Sequence, residues 1–221
     1  MTNHIVYEYI FLDSKNNFRS KTKVVNGPIK FDKNQLPDIH HIPDWNYDGS
    51  STGQADGTNS EVIIKPIYVC VDPFRRNIKY SYFVLCESYS DEKTPHKNNK
   101  RHSSNYIFKK YFHEKPWFGI EQEFFMKNPQ TKLPLGMLTN GTTPPQANYY
   151  CGVGNGNCYG RPLAEEVLSH CLYCGLCVTG LNFEVAPGQC EFQIRGEGIT
   201  ACDQIMIFRY ILIRAAEKYS V

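Results

Sequence analysis

The sequence predicts an α+β protein, and three observations lead to this prediction. Strand-like runs separated by polar turns dominate the chain up to about Tyr89. A polar stretch from Ser90 to Lys100 follows and marks a boundary, which places the domains at residues 1–95 and 96–221. Beyond that boundary, segments with helical spacing of apolar residues alternate with further strand-like runs.

The strands of the first part are predicted from runs rich in apolar and β-branched residues, which suit the pleated surface of a sheet. The runs are Ile5 to Leu12, Val62 to Val71 and Tyr82 to Cys86. Turn-forming residues separate them at Asn26-Gly27-Pro28 and Asp48-Gly49-Ser50-Ser51. The basic stretch Lys93 to Arg101 is interpreted as a solvated linker.

Three helices are predicted in the second part. Ser103 or Ser104 is expected to cap the first helix, which continues through Tyr111. Pro162 suits the first turn of the second helix, after a long turn-rich loop. The third helix is predicted over Asp203 to Tyr219 from its apolar spacing.

The segment Cys171-Leu-Tyr-Cys174-Gly-Leu-Cys177 allows two interpretations, a metal cluster or a helix end. The helix end is favoured because Gly175 is a natural helix stop and the spacing alone is a weak metal motif. These cysteines are then small buried apolar side chains. The nine cysteines of the chain are expected to be reduced thiols.

Two carboxylates lie two residues apart in the strand-like run around Trp117, which reads WFGIEQEFF. Residues i and i+2 of a strand point to the same side, so Glu121 and Glu123 are held side by side. Neighbouring negative charges cost free energy unless something positive meets them. A divalent cation is the simplest answer.

A second acidic pair is predicted in a hairpin around Ala186-Pro187-Gly188-Gln189, a strong turn signal. A turn centred between Pro187 and Gly188 places Glu184 opposite Glu191, which is destabilising for like charges. Either the register slips, or both side chains point into water, or the pair binds a metal ion. Because two such pairs occur, the metal interpretation is favoured, and carboxylates without a matched Cys/His set select Mg²⁺ or Mn²⁺.

Composition excludes several classes of protein. The net charge of +2 over 221 residues gives no electrostatic reason to expect binding to nucleic acid or to a membrane surface. The N-terminus lacks the basic and long apolar segments of a signal peptide, and no run is long enough to span a membrane. The sequence therefore predicts a cytoplasmic protein.

Six short motifs occur in order along essentially the whole chain. They are Trp45–Ala55 (WNYDGSSTGQA), Asp72–Arg76 (DPFRR), Leu85–Glu87 (LCE), Pro116–Glu123 (PWFGIEQE), Tyr149–Gly154 (YYCGVG) and Asn182–Gln189 (NFEVAPGQ). With these motifs the chain resembles the glutamine synthetases of the eukaryotic type. Each motif is moderately specific, and six in order are very specific.

The resemblance implies a β-grasp N-terminal domain followed by the first part of an α+β catalytic domain. It implies ATP-dependent ligation of ammonia to glutamate through a γ-glutamyl phosphate, with Mg²⁺ or Mn²⁺ at the transferring phosphoryl group. It also implies ring-shaped homo-oligomers whose active sites lie between neighbouring subunits.

The resemblance further assigns roles to single residues. Glu123, Glu184 and Glu191 correspond to the ligands of one metal ion. Glu121 corresponds to one ligand of a second metal ion, which lies against the ATP phosphates.

Three more residues are matched to the family's site by their motifs. Asp48 corresponds to the residue that helps bind and deprotonate ammonium in the neighbouring subunit, and Ser51 supports it. Trp117 corresponds to a position near the nucleotide. Without the resemblance, Asp48 would be interpreted as a turn residue and Trp117 as a core residue.

The family also has a histidine segment, several arginines, a flap glutamate and a last metal-binding glutamate further along, and the 221 residues contain no match to them. The catalytic domain is therefore expected to be incomplete. Two alternatives stay open: an enzyme completed by a further segment or a second polypeptide, or a catalytically inactive, ring-forming or regulatory metal-binding subunit.

Overall fold

A computed structural model describes residues 4–221 except 139, 141 and 143. Residues 1–3, and those three positions of the predicted turn-rich loop, lie outside the described residues. The chain divides into two compact units, Met1–Glu114 and Lys115–Val221, and each is described by itself.

Both strands and helices form, which confirms the α+β prediction. The strands are β1 (His4–Leu12), β2 (Phe18–Asn26), β3 (Trp45–Asp48), β4 (Glu61–Val71), β5 (Ser81–Tyr89), β6 (Trp117–Phe125), β7 (Val178–Phe183) and β8 (Gln189–Glu197), and the helices are α1 (Lys100–Lys110), α2 (Arg161–Tyr173) and α3 (Ile199–Tyr219). Among these described helices, none combines the length and the apolar character needed to cross a membrane.

The first unit contains one five-stranded mixed sheet in the order β2-β1-β5-β4-β3. β1 pairs parallel with β5, and all other neighbours are antiparallel. The predicted strands β1, β4 and β5 are confirmed. The edge strand β2 was missed because Arg19, Lys21 and Lys23 interrupt its apolar pattern, and β3 was missed because its motif ends in turn residues.

The interpretation of residues 93–101 as a solvated linker is wrong. His96 is buried, and its Nε2 lies 3.0 Å from the carbonyl oxygen of Gln54. Asn98 donates a hydrogen bond to the carbonyl of Asp13 at 2.8 Å, and Arg101 forms an ion pair with Glu87. These contacts hold the segment on the first sheet, so the compact unit extends to Glu114, past the boundary predicted after residue 95.

Helix boundaries differ from the predictions at two places. α1 begins at Lys100, and the side chain of Asn99 caps it by accepting a hydrogen bond from the backbone N–H of His102. The expected caps Ser103 and Ser104 instead donate to the carbonyl of Lys100 from inside the helix. α3 begins at Ile199, four residues before the predicted start at Asp203.

The second unit contains a three-stranded antiparallel sheet in the order β6-β8-β7. Phe192 of β8 packs against Phe208 of α3, with ring centroids 4.9 Å apart, so α3 covers one face of this sheet. α2 packs on α3, and its Cys171 is fully buried, as predicted for an apolar side chain. Because alternate residues of β8 point to opposite faces, the second face is left to polar side chains.

Candidate metal centre

The second face of the β6-β8-β7 sheet carries the acidic residues of β6 and β8. Glu123 lies directly opposite Glu191 in the β6–β8 register, and Glu121 lies opposite Gln193. The prediction that Glu121 and Glu123 share one side of a strand is confirmed, because both pair with residues of the same β8 face. Like charges directly opposite each other destabilise a sheet, so this pairing needs compensation.

The predicted pairing of Glu184 with Glu191 is wrong by two residues. Glu191 pairs with Asn182, and the backbone N–H of Glu184 donates to the carbonyl of Gln189 at 3.0 Å. The predicted turn is present, with the N–H of Gln189 donating to the carbonyl of Ala186. Glu184 therefore lies beside Gln189, and the connection between the strands consists of the four residues 185–188 rather than of Pro187 and Gly188 alone.

Glu184 and Glu191 nevertheless lie close together, because one amide contacts both carboxylates. Asn182 Nδ2 donates to Glu184 Oε1 at 2.8 Å and to Glu191 Oε2 at 3.5 Å. Burial and the neighbouring Glu191 raise the pKa of Glu184, whereas a hydrogen bond from Gln193 lowers the pKa of Glu191.

The carboxylates of β6 differ from each other in their partners. Gln189 Nε2 donates to Glu123 Oε2 at 2.6 Å. Glu121 is exposed and has no hydrogen-bond partner among the described residues. Within the same residues, no Lys, Arg or His forms an ion pair with Glu121, Glu123, Glu184 or Glu191. Neutral amides donate the hydrogen bonds that Glu123, Glu184 and Glu191 accept.

The donor set fits a hard divalent cation, since carboxylate oxygens are the ligands that Mg²⁺ and Mn²⁺ prefer. Over the described part of the chain, however, no three His, Cys, Asp or Glu side chains are close enough to hold a metal ion as they stand. Amide N–H groups instead donate to oxygens of Glu123, Glu184 and Glu191. Binding of a cation would have to replace or rearrange these hydrogen bonds.

Three amide side chains of this face were missed by the sequence analysis: Asn182, Gln189 and Gln193. The pattern that could have revealed them is simple. Gln189, Glu191 and Gln193 follow each other at intervals of two residues, which places all three on one face of β8. The same interval of two residues separates Asn182 from Glu184, which predicts that both side chains point to one side.

In the first unit, Asp48 ends β3 and caps a short 3-10 turn, Gly49–Thr52. Its carboxylate accepts hydrogen bonds from the Ser50 hydroxyl at 2.7 Å and from the Ser51 hydroxyl at 2.9 Å. These two hydrogen bonds, together with one from the backbone N–H of Ser50, lower the pKa of Asp48 to about 2. Asp48 is thus an exposed, ionised carboxylate, with a structural role in the turn that the residue type alone predicts.

Trp117 is the first residue of β6 and lies opposite Glu197. Its side chain is 63% exposed, so it is not the core residue that its type would suggest. An exposed tryptophan at the start of the acidic strand offers a flat apolar surface to a ligand or to another chain.

Comparison with known proteins gives one family. The family description "Glutamine synthetase, catalytic domain" matches residues 92–221. The chain is 46% identical over 217 residues to a "Putative glutamine synthetase" of Acanthamoeba polyphaga mimivirus, with 97% of this chain and 59% of that protein covered. It is 43% identical over 224 residues to "Glutamine synthetase cytosolic isozyme 1-4" of Arabidopsis thaliana, with 100% and 60% covered. The chain therefore spans about 60% of the length of these curated relatives.

A solved structure described as "GmaS/ADP complex-Conformation 1" shares the fold. The TM-score is 0.66 at 14% sequence identity, and the match covers 97% of this chain and 47% of that chain. At this identity the similarity concerns the fold alone.

Proposed function

The chain belongs to the glutamine synthetase family, and from this premise we propose that it forms the N-terminal and metal-binding part of a glutamate–ammonia ligase. The proposed reaction is ATP-dependent ligation of ammonia to glutamate, which gives glutamine through a γ-glutamyl phosphate. The substrates are glutamate, ammonia and ATP. The conclusion is supported most by the opposed pair Glu123 and Glu191, next to Glu184, whose hydrogen-bond donors among the described residues are amides.

In this proposal Glu123, Glu184 and Glu191 hold one Mg²⁺ or Mn²⁺, and Glu121 contributes to a second one beside the ATP phosphates. A bound divalent cation neutralises charge on the transferring phosphoryl group. The residues of this chain orient the ligands: Asn182 holds Glu184 and Glu191 close together, and Gln189 fixes one oxygen of Glu123.

Asp48, supported by Ser51, is proposed to bind ammonium. Its lowered pKa keeps the carboxylate ionised, which favours attraction of a cation. While the serine hydrogen bonds persist, Asp48 is a weak base, so proton removal from ammonium would require these bonds to change. Trp117 is proposed to contact the nucleotide, in accordance with its exposure on β6.

We also propose that the first unit is a β-grasp domain, that the protein forms homo-oligomeric rings with shared active sites, and that it is cytoplasmic. The mixed sheet with its parallel β1–β5 pair supports the first proposal. The names of the similar plant isozymes, which include the word cytosolic, support the last one. The 221 residues carry only part of the family's motifs, so turnover is proposed to need the remaining ones from a longer protein or a second polypeptide.

An assay of γ-glutamyl transfer with ATP and Mg²⁺ or Mn²⁺ on the purified 221-residue chain tests this function. We expect Mn²⁺ to raise the melting temperature, with a stabilisation of about 2.7 kcal/mol at a hundred times its Kd. Turnover should be low for this chain alone, since loss of a single charge-stabilising group commonly costs about a hundredfold in rate. It should appear when the remaining family segments are supplied.

Two results would contradict parts of this proposal. A melting temperature that does not respond to Mn²⁺ would remove the metal centre, and full turnover by the 221-residue chain would remove the need for further segments. Mn²⁺ binding without turnover, even after those segments are supplied, would favour a non-catalytic metal-binding subunit.

A further inference from the structure

The side chain of Gln193 connects the carboxylates of two strands. Its Nε2 donates to Glu191 Oε1 at 2.6 Å and to Asn182 Oδ1 at 2.9 Å. Both hydrogens of the amide nitrogen are thereby used. Asn182, oriented by this contact, donates in turn to Glu184 Oε1 at 2.8 Å. One glutamine therefore fixes Glu191 directly and Glu184 through Asn182.

Gly180 provides the space that this glutamine occupies. Gly180 is the cross-strand partner of Gln193 in the β7–β8 register. A Cβ at position 180 would overlap Gln193 Oε1 and would lie 2.8 Å from Gln193 Cδ. The backbone of Gly180 does not require glycine, since its φ lies outside the left-handed region. The missing side chain is thus explained by the position of the glutamine amide rather than by the course of the backbone.

We propose that Gln193 is a positioning residue for the metal centre, and that Gly180 serves to admit its amide to the carboxylate face. This inference rests on the proposed function, because it assigns to Gln193 the task of orienting metal ligands. Gln193 need not touch the metal ion. It holds Glu191 Oε1 in a short hydrogen bond, whereas Glu191 Oε2 accepts only the longer contact of 3.5 Å from Asn182.

The size of the expected effect follows from the behaviour of other metal sites. Residues that orient metal ligands by hydrogen bonds typically change metal affinity by about 10- to 100-fold when they are removed. A glutamine with only a structural role in the sheet would change the melting temperature and leave the affinity for metal unaltered. Affinity and stability together therefore separate the two roles.

The test is a double-mutant cycle on the full 221-residue chain with Gly180→Ala, Gln193→Ala and both together. The readout is the EPR signal of free Mn²⁺ during titration, which needs no turnover, with melting temperatures measured alongside. We expect Gln193→Ala to lower the affinity for Mn²⁺ by about tenfold or more, and Gly180→Ala to lower it comparably. The double variant should match Gln193→Ala, because alanine at 180 has no amide to displace once Gln193 is gone.

Gly119→Ala is the matched control. Gly119 lies on the same sheet face, opposite Arg195 in the β6–β8 register, and a Cβ there meets no atom within 4 Å. Its affinity for Mn²⁺ should equal that of the unmodified chain. Gln193→Met, which keeps the length of the side chain and removes the donor, should reproduce the loss even if the alanine variant folds poorly.

The outcomes separate this inference from the function on which it rests. If the unmodified chain binds no Mn²⁺, the metal centre fails and the positioning role fails with it. If the unmodified chain binds Mn²⁺ and Gln193→Met binds it equally well, only the positioning role is overturned. Independent, additive effects of Gly180→Ala and Gln193→Ala would overturn the link between the glycine and the glutamine.

Discussion

The two sheets of the molecule each hold carboxylates out of water, and they compensate the charge differently. In the first unit, Glu8 of β1 and Asp72, which follows β4 directly, are each 1% exposed, and both form ion pairs with Arg75. In the second sheet, Glu191 is 7% exposed and lies opposite Glu123, and amide groups are the donors that both receive. The first two carboxylates pair with an arginine of their own unit, whereas the other two form no ion pair with a Lys, Arg or His of the described residues.

This difference supports the proposal that the first cluster serves the fold and the second one a ligand. Carboxylates that are paired with an arginine of the same unit are satisfied once the chain folds. Carboxylates that face amides keep their repulsion, because a neutral donor solvates a charge without neutralising it. An external cation would relieve that repulsion, so clusters of this kind are candidates for functional sites.

The largest expected effect comes from breaking the first arrangement. Arg75→Met should lower the free energy of unfolding of the first unit by about 3–5 kcal/mol, because it leaves two buried carboxylates without their cation. Chemical denaturation in a Trp117→Phe background measures this, since Trp45 then reports on the first unit alone.

Lys33→Met is the control for this substitution. Lys33 is exposed, and the control likewise replaces a positively charged side chain by methionine. The control should change stability by no more than about 0.5 kcal/mol. If Arg75→Met were as mild as the control, the ion pairs of Arg75 would not compensate Glu8 and Asp72, and the contrast between the two sheets would lose its first half.

The sequence predicted the strands and helices with strong apolar patterns, and it placed the acidic face of β6 correctly. It failed where long-range contacts decide the outcome. The segment containing His96 is polar throughout, so nothing local indicates that His96 is buried against Gln54. The missed strand β2 is held by pairing with β1 rather than by its own composition.

The candidate site illustrates the same limit on a smaller scale. Residue types and family motifs identified Glu121, Glu123, Glu184 and Glu191 as a set. The register of the hairpin could not be predicted, because the connection has four residues, 185–188, and not the two of a tight turn at Pro187 and Gly188, so Asn182 lies opposite Glu191. The metal-ligand roles of these four residues, and the roles of Asp48, Ser51 and Trp117, stay predictions until binding is measured.

A second, smaller effect extends the comparison to pH. Asp13 is another buried carboxylate of the first unit, 3% exposed. Burial alone would raise its pKa, but hydrogen bonds from Asn17, Lys15 and Arg19 outweigh burial and lower the pKa to about 2. Because the folded pKa is below the ordinary value of 3.8, Asp13 stabilises the fold fully above about pH 4 and loses this contribution as the pH falls towards 2.

Asp13→Asn should therefore lower the free energy of unfolding at pH 7 by roughly 2 kcal/mol and should flatten its decline between about pH 4 and pH 2. Denaturation curves measured across this range in the Trp117→Phe background test both effects. The exposed Asp44→Asn is the control and should leave the acid limb unchanged. An unaltered acid limb in Asp13→Asn would mean that the hydrogen bonds of Asp13 do not favour its charged form.

The smallest expected effect on stability concerns the second sheet. In the metal-free protein, loss of a carboxylate there should not destabilise the fold, in contrast to the two substitutions in the first unit. Glu184→Gln should leave the metal-free melting temperature unchanged or raise it, because it removes one of two neighbouring like charges. The same substitution should weaken Mn²⁺ binding at least tenfold, or by about 1.4 kcal/mol, because a ligand is lost. Glu217→Gln, on the exposed side of α3, is the matched control and should alter neither value.

Unchanged Mn²⁺ affinity in Glu184→Gln would remove Glu184 from the ligand set. A large loss of metal-free stability would mean that this carboxylate, like those paired with Arg75, serves the fold, and the two sheets would then not differ in kind.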